Sequence, residues 1–176
     1  MKKVLVIGSG GAGKSTFAHR LHKATGLPLI HLDKIHWQPN WTAPPKPEWR
    51  KTVEKLLAGD EWVMDGNFGS TMDIRFRACD TIFYFDLPPL VCVYQALKRV
   101  AKYYKKTRPD MGAGCAEKLD FEFLEWVWNF PKNSKPEIEE KLALYAAGKN
   151  IIRFKSRKDV ERFFENLARN KVESVQ

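Results

Sequence analysis

The residues with the clearest chemical potential in this chain of 176 residues lie near its start, where Gly8-Ser9-Gly10-Gly11-Ala12-Gly13-Lys14-Ser15 fits the pattern G-x-x-x-x-G-K-[ST] in full. Glycines at this density let a loop take positive φ angles and turn successive backbone N–H groups inward. The resulting nest attracts phosphate oxygens, and its partial charge adds to that of a helix N-terminus. Lys14 is placed to reach the β- and γ-phosphates of a nucleotide, the Ser15 hydroxyl to ligate Mg²⁺, and Thr16 to assist at the α-phosphate. Three aspartates, Asp33, Asp65 and Asp86, each close a short apolar run. A carboxylate there either serves a metal or an acceptor hydroxyl, or caps the following turn. The chemical role is favoured for Asp65 and Asp33, the capping role for Asp86, which precedes Pro88. Between Lys98 and Arg108 lie Lys102, Lys105, Lys106 and Arg99 as well. The lysines read as a solvated face. Arg99 and Arg108 are candidates to stabilise charge on a transferring phosphoryl group, because a planar guanidinium matches phosphate geometry.

These groups need elements to hold them. Val4-Leu5-Val6-Ile7 is short, continuous and bounded by glycine, as a strand buried on both faces is. Phe17, Leu21 and Ala24 then recur at helical spacing until Gly26 and Pro28. A second strand, Leu29 to Leu32, runs into Asp33. Pro39, Pro44 and Pro45 make residues 34 to 46 a stiff loop rather than a helix. Trp37 and Trp41 in that loop either pin it to the core or stack on an acceptor ring, and pinning is favoured. A helix over Glu48 to Ala58 precedes the strand Glu61 to Asp65. A fourth strand, Thr81 to Phe85, leads to a helix from Pro89 to about Lys106, and an aromatic helix spans Phe121 to Phe130. Ser134 opens a helix that closes at Gly148, Asn150 to Phe154 is the fifth strand, and Ser156 with Asp159 caps the last helix. Lys171 to Gln176 is expected to fray.

Alternating strands and helices predict one α/β domain, a parallel sheet covered on both faces with ligands beyond the carboxyl ends of its strands. A net charge of +9 favours polyanionic partners without choosing among nucleotides, nucleic acid and an anionic surface. Cys79, Cys92 and Cys115 are widely spaced and odd in number, which argues against a zinc ribbon or a disulfide framework and for reduced thiols in the cytoplasm. No apolar run approaches the roughly 20 residues of a bilayer span, so no membrane partner is expected. His31 and His36 lack metal-ligand spacing.

With these residues in view, the sequence over roughly 1 to 168 resembles the adenylate kinase-like family of nucleoside monophosphate kinases. Within it the sequence is most similar to the group labelled topology modulation proteins, through His31-Leu32-Asp33, Trp37, Asp65-Gly66-Asn67-Phe68, Arg99 and Lys106-Thr107-Arg108-Pro109-Asp110. The resemblance implies a three-layer α/β/α fold with a five-stranded parallel sheet in the order 2-3-1-4-5, ATP on the glycine-rich loop, an acceptor-side segment over 34 to 60 and a lid over about 99 to 118. It also implies Asp65 beside Mg²⁺, Arg99 at the lid base, and adenine near Ser156 and Arg157. The chain departs from that family at three points. Asn67-Phe68-Gly69 replaces an aromatic-proline-arginine run, Gln95 stands where an arginine is usual, and Arg50 is the one arginine in 34 to 60. At the Gln95 position phosphate clamping is then either weaker or falls to Arg75 or Arg77, and an unusual or non-nucleotide acceptor becomes as reasonable as AMP. The expected activity is phosphoryl transfer from MgATP to a small molecule, with Asp33 orienting the acceptor. The alternatives are a nucleotide-dependent DNA-binding or DNA topology protein and a partner-dependent ATPase.

Overall fold

The computed structural model describes the backbone of residues 1–173 and the side chains of residues 1–170. Five parallel strands, β1 (Lys3–Gly8), β2 (Leu29–His31), β3 (Trp62–Asp65), β4 (Thr81–Phe85) and β5 (Asn150–Phe154), form one sheet in the order β2-β3-β1-β4-β5. Alternation along the strands divides the core in two. Leu5, Ile7, Met64, Ile82 and Tyr84 pack on one face with Trp49, Phe76 and Leu142. Val4, Val6, Val63, Phe83 and Phe85 pack on the other with Phe17, Leu21 and Phe154. Burying side chains of this size contributes about 1.5–3 kcal/mol each, which is why the central strands are apolar on both faces.

The helices are α1 (Lys14–Thr25), α2 (Leu32–His36), α3 (Lys46–Leu57), α4 (Met72–Ala78), α5 (Pro89–Tyr103), α6 (Phe121–Asn133), α7 (Lys135–Tyr145) and α8 (Arg157–Glu173). α1 ends on Gly26 in the left-handed region, φ 80°, with its N–H on the His22 carbonyl. α8 begins with a reciprocal cap: Ser156 N–H donates to Asp159 (2.8 Å) and Asp159 N–H to the Ser156 hydroxyl (3.3 Å).

Several expectations need correction. Residues 34 to 46 are not all loop, because the chain turns into α2 directly after β2 and the prolines that forbid helix begin only at Pro39. Asp33 therefore sits in the first turn of a helix, not at a strand end. α4 carried no clear signal in the sequence. Ser134 has helical backbone angles and its side chain caps nothing, since α7 follows α6 after a single residue and Ser134 N–H already bonds to the Phe130 carbonyl. α8 is still helical at Lys171 to Glu173, where fraying was expected, and 174–176 lie outside the described residues.

Residues 104–120 leave α5 and return to α6 as a loop closed on itself by Glu117 N–H to the Lys106 carbonyl (3.0 Å) and Lys105 N–H to the Glu117 carbonyl (2.9 Å). It lies against residues 37–41. A Cβ on Gly112 would stand 2.0 Å from the Trp37 carbonyl oxygen, so only glycine fits there, and the Trp41 indole donates to the Ala116 carbonyl (3.1 Å).

Arg75 on α4 is fully buried and spends its guanidinium on the backbone of the β3–α4 turn, donating to the carbonyls of Gly66 (2.8 Å), Phe68 (2.7 Å), Asn67 (3.2 Å) and Thr71 (3.3 Å). Burial pushes its pKa down to about 10, against the weaker opposing effects of Cys79 and Asp73. Removing this side chain orphans several carbonyls at once. Arg75→Leu is expected to lower stability by about 3 kcal/mol, seen as a lower urea midpoint with an unchanged slope; an unchanged midpoint contradicts the assignment.

Candidate functional site

The loop between β1 and α1 takes positive φ at Gly8 (133°), Gly11 (73°) and Gly13 (93°), the turns that face backbone N–H groups to one side. Gly11 also has no room for a side chain, since a Cβ there would lie 2.2 Å from the Cys92 carbonyl oxygen on α5. α1 then starts with no side-chain cap at Gly13 and no acidic residue in its first turn. The leading amides of a helix and the positive end of its dipole ordinarily find a serine, threonine or carboxylate. Here they have none, so an anion is their natural complement. Ser9 and Ala12, within the loop, are buried.

The loop forms one end of a cavity of about 820 Å³. Of the residues singled out from the sequence, Gly10, Gly11, Gly13, Lys14, Ser15 and Thr16 line it, together with Asp33, Arg99 and Arg108. Trp37 and Trp41 line it as well, although Trp41 also anchors the 104–120 loop. Asp65, Ser156 and Arg157 are not part of the lining. Asp65 is buried against His31, and Ser156 serves the α8 cap. Asp86 is held by Lys135 (2.8 Å) and Arg153 (3.4 Å), so it acts as an ion-pair centre rather than as the turn cap expected of it.

Two groups of charges define the electrostatics. In the first, Lys14 reaches back to the Ser9 carbonyl (2.7 Å). Burial lowers its pKa, and the charges of Asp33 and Asp65 oppose that shift. The Asp33 carboxylate has neither a hydrogen bond nor an ion pair to any described residue, while its backbone carbonyl accepts from Trp37 N–H (3.1 Å). Burial raises its pKa; Lys14 opposes the shift and Asp65 adds to it. Asp65 accepts from His31 Nδ1 at 2.7 Å. The parallel register that sets His31 beside Asp65 on β2 and β3 makes this pair. Burial alone would lower the His31 pKa, but the hydrogen bond and charge of Asp65 outweigh it and the net shift is upward.

The second group joins the cations of the 99–118 segment to one acid. Glu117, 4% exposed, is ion-paired with Arg99 through one oxygen (3.2 Å) and with Arg108 through the other (2.7 Å), the second contact lacking hydrogen-bond geometry, and Arg108 donates to Asp110 (3.0 Å). Burial and the neighbouring Arg108 lower the Arg99 pKa against the pull of Glu117. Sequence reasoning counted only the cations here. The single glutamate among them was the available signal for Glu117, and the signal for His31 was its place one strand-end away from Asp65.

Among the described residues no cluster of three or more His, Cys, Asp or Glu side chains has metal-binding geometry. A Mg²⁺ site here would draw on one or two protein oxygens and on phosphate, the usual arrangement in nucleotide-binding loops. No helix among the described residues is long and apolar enough to cross a membrane.

No family model matches the sequence, and no curated protein matches it at the threshold of significance. Solved structures share the fold. Shikimate kinase from Acinetobacter baumannii in complex with shikimate is similar at a TM-score of 0.59 and 12% identity, over 97% of this chain and 95% of that one. Deoxyadenosine kinase from M. mycoides is similar at 0.52 and 15%, over 98% and 99%. Shikimate kinase from Bacteroides thetaiotaomicron is similar at 0.52 and 16%, over 94% and 97%. With the strand order β2-β3-β1-β4-β5, these likenesses establish the α/β fold of P-loop kinases.

The His31–Asp65 pair has a pH signature. With a folded pKa above the ordinary 6.5, protonated His31 contributes its full stability below that value and loses it as pH rises through the folded pKa. The stability difference between wild type and His31→Gln, read from urea midpoints, is expected to be largest near about pH 6 and to shrink toward about pH 9. A difference that does not change with pH contradicts a charged pair.

Proposed function

We propose that this protein is a Mg²⁺- and ATP-dependent phosphotransferase that phosphorylates a hydroxyl group of a small molecule. The observation that carries the reading is the uncapped, acid-free N-terminus of α1 in the glycine loop, opening into the same cavity as the unpartnered carboxylate of Asp33. An anion-holding end and a proton-accepting end in one cavity suit phosphoryl transfer, which needs positioning and charge neutralisation more than covalent catalysis. The solved structures with this fold that were compared are kinases of a nucleoside and of shikimate, which agrees with a kinase-type activity. The sequence likeness to topology modulation proteins and adenylate kinase-like enzymes is consistent with the same chemistry.

When bound, MgATP supplies the transferable phosphoryl group. The loop amides and Lys14 hold phosphate oxygens, Lys14 exchanging its contact with the Ser9 carbonyl for a charged partner. The Ser15 hydroxyl and Asp65 would hold Mg²⁺, which would supply charge neutralisation at the phosphates. Asp65 has one carboxylate oxygen fixed by His31 (2.7 Å), and its other oxygen would be the one to support the metal. Asp33 orients the acceptor hydroxyl and takes its proton as the oxygen attacks. Its raised pKa suits that role better than that of an ordinary, fully solvated carboxylate would. Arg99 and Arg108, held by Glu117 at the cavity wall, neutralise charge on the transferring group. The 104–120 loop acts as the lid, and residues 34–60 supply part of the acceptor side.

Two substitutions test the reading together. Lys14→Ala is expected to weaken MgATP binding by about tenfold or more, through loss of a charge-assisted contact. Asp33→Asn is expected to leave that binding intact while lowering turnover by about 10²- to 10⁴-fold. A buried carboxylate with a raised pKa costs stability above its unfolded pKa. Asp33→Asn is therefore also expected to raise the urea midpoint at neutral pH, with the gain vanishing as pH falls below the ordinary carboxyl range. Unchanged MgATP binding in Lys14→Ala, or unchanged turnover in Asp33→Asn, contradicts the proposal.

A further inference from the structure

A second hollow, of about 320 Å³, lies where residues 40–41 meet the 104–120 loop, and Asn40, Trp41, Tyr104, Lys105 and Lys118 line it. That volume is at the lower end of the about 300–1,000 Å³ usual for small-molecule sites. Asn40, Tyr104 and Lys105 line only this hollow, whereas Trp41, Glu117 and Lys118 also line the main cavity and form the partition between the two. Trp37, on the main-cavity side, meets the Trp41 ring edge to face, with centroids 5.7 Å apart.

The backbone around this hollow is strained. Among the described residues, those other than glycine with positive φ are Asn40 (61°), Trp41 (61°) and Lys105 (57°), and all of them line it. Asparagine tolerates the left-handed region, but in tryptophan and lysine the Cβ crowds the following carbonyl without compensation. Such conformations persist only where their surroundings enforce them, and they collect at ligand-binding sites. Here Asn40 N–H is held by the Gly114 carbonyl (3.2 Å), the Trp41 indole by the Ala116 carbonyl (3.1 Å) and Lys105 N–H by the Glu117 carbonyl (2.9 Å). The outcome is two aromatic rings and two ammonium groups around one space. Tyr104 is 55% exposed, with the Lys105 ammonium 5.5 Å from its ring centroid. The one acid in the lining, Glu117, is buried and ion-paired with Arg99 and Arg108, so the exposed Lys105 and Lys118 set the sign of the hollow; neither lysine has an ion pair to a described residue.

We propose that this hollow is a second binding site, for a planar aromatic molecule that carries an acidic group. The ring of the ligand rests on Trp41 and Tyr104, and its carboxylate or phosphate meets Lys105 and Lys118. The site goes beyond the phosphotransferase reading and does not depend on it. Flat aromatic faces favour a ring, and charge-assisted contacts to two ammonium groups favour an anion over a neutral or cationic molecule. An occupant touches both residues 40–41 and the 104–120 loop, and so fastens together the two segments whose junction forms one wall of the main cavity.

The test titrates full-length, isotope-labelled protein with naphthoate, with AMP and with uncharged naphthylmethanol, following the NMR signal of the Trp41 indole N–H, which Trp41→Phe identifies. Saturable shifts are expected with naphthoate, with AMP or with both, which tells an aromatic acid from a nucleotide as the source. Affinity for naphthylmethanol is expected to be lower by about tenfold or more. Tyr104→Ala and Lys105→Gly alter residues that line only the second hollow, and each is expected to weaken binding of the acid by about fivefold or more. Lys105→Gly is expected to do so while keeping or raising the urea midpoint, because glycine takes a φ of 57° without strain. Binding of the acid that survives both substitutions places it in the main cavity and overturns the proposal. Equal affinity for acid and alcohol, a urea midpoint lowered by Lys105→Gly, or no saturable shift with either acid up to about 10 mM overturns it as well. So do shifts produced only by an oligothymidylate of about ten nucleotides, the mark of a platform for a nucleic-acid strand.

Discussion

The structure depends on a helix start that has been left open. At α1 the chain withholds each usual remedy for orphan amides: the N-cap is glycine, the first turn carries no acid, and the nearest cation points back at the Ser9 carbonyl. A glycine N-cap costs roughly a few tenths of a kcal/mol relative to serine or aspartate, and it leaves the leading amides for a partner from outside the helix. The surrounding construction keeps this end in place. β1 runs through the centre of the sheet between β3 and β4, fully apolar from Val4 to Ile7, and α5 approaches Gly11 so closely that no side chain fits. The loop is held by this packing together with Gly8 N–H on the Asn67 side chain (3.3 Å) and Ala12 N–H on the Ser9 carbonyl (3.4 Å), and the amides at the start of α1 are left for a ligand.

Charge is handled in the same manner around it. Burial lowers the Lys14 pKa and raises that of Asp33, and the charge of each partly opposes the shift of the other. The arginines opposite are balanced by Glu117, whose main chain also ties the 104–120 loop together. One acid thus fixes both the loop's shape and the position of two cations. Buried ion networks of this kind contribute less to net stability than to placing their members, and placement is what phosphoryl transfer requires.

Much of this was legible in sequence where the signal is local. β1, the glycine loop and α1 follow from a run of eight residues and its flanks, and β4 and β5 from β-branched and aromatic runs between breakers. The strand order came through resemblance and agrees with the sheet observed. Features that depend on register between distant segments were not legible. The His31–Asp65 bond exists because β2 and β3 pair in parallel with those two residues side by side. Arg75 was read as a candidate phosphate clamp because its type suits that role, yet α4, which turns it inward to the backbone, had no pattern strong enough to reveal it. Glu117 was outnumbered by lysines in a segment read by its net sign, and only the folding back of residues 104–120 brings it to Arg99. α2 was obscured by the prolines that follow it, although none lies within it.

The central claim is that the open amides of the glycine loop bind a nucleotide through its phosphates. Calorimetric titration of the wild-type protein with MgADP and with adenosine tests it most directly, because the two share every group except the phosphates and their metal. The account predicts saturable MgADP binding and adenosine binding weaker by about a hundredfold or more, the loss expected when charge-assisted contacts to several amides and a lysine are removed. Equal affinity for the two, or no heat from either, would contradict it.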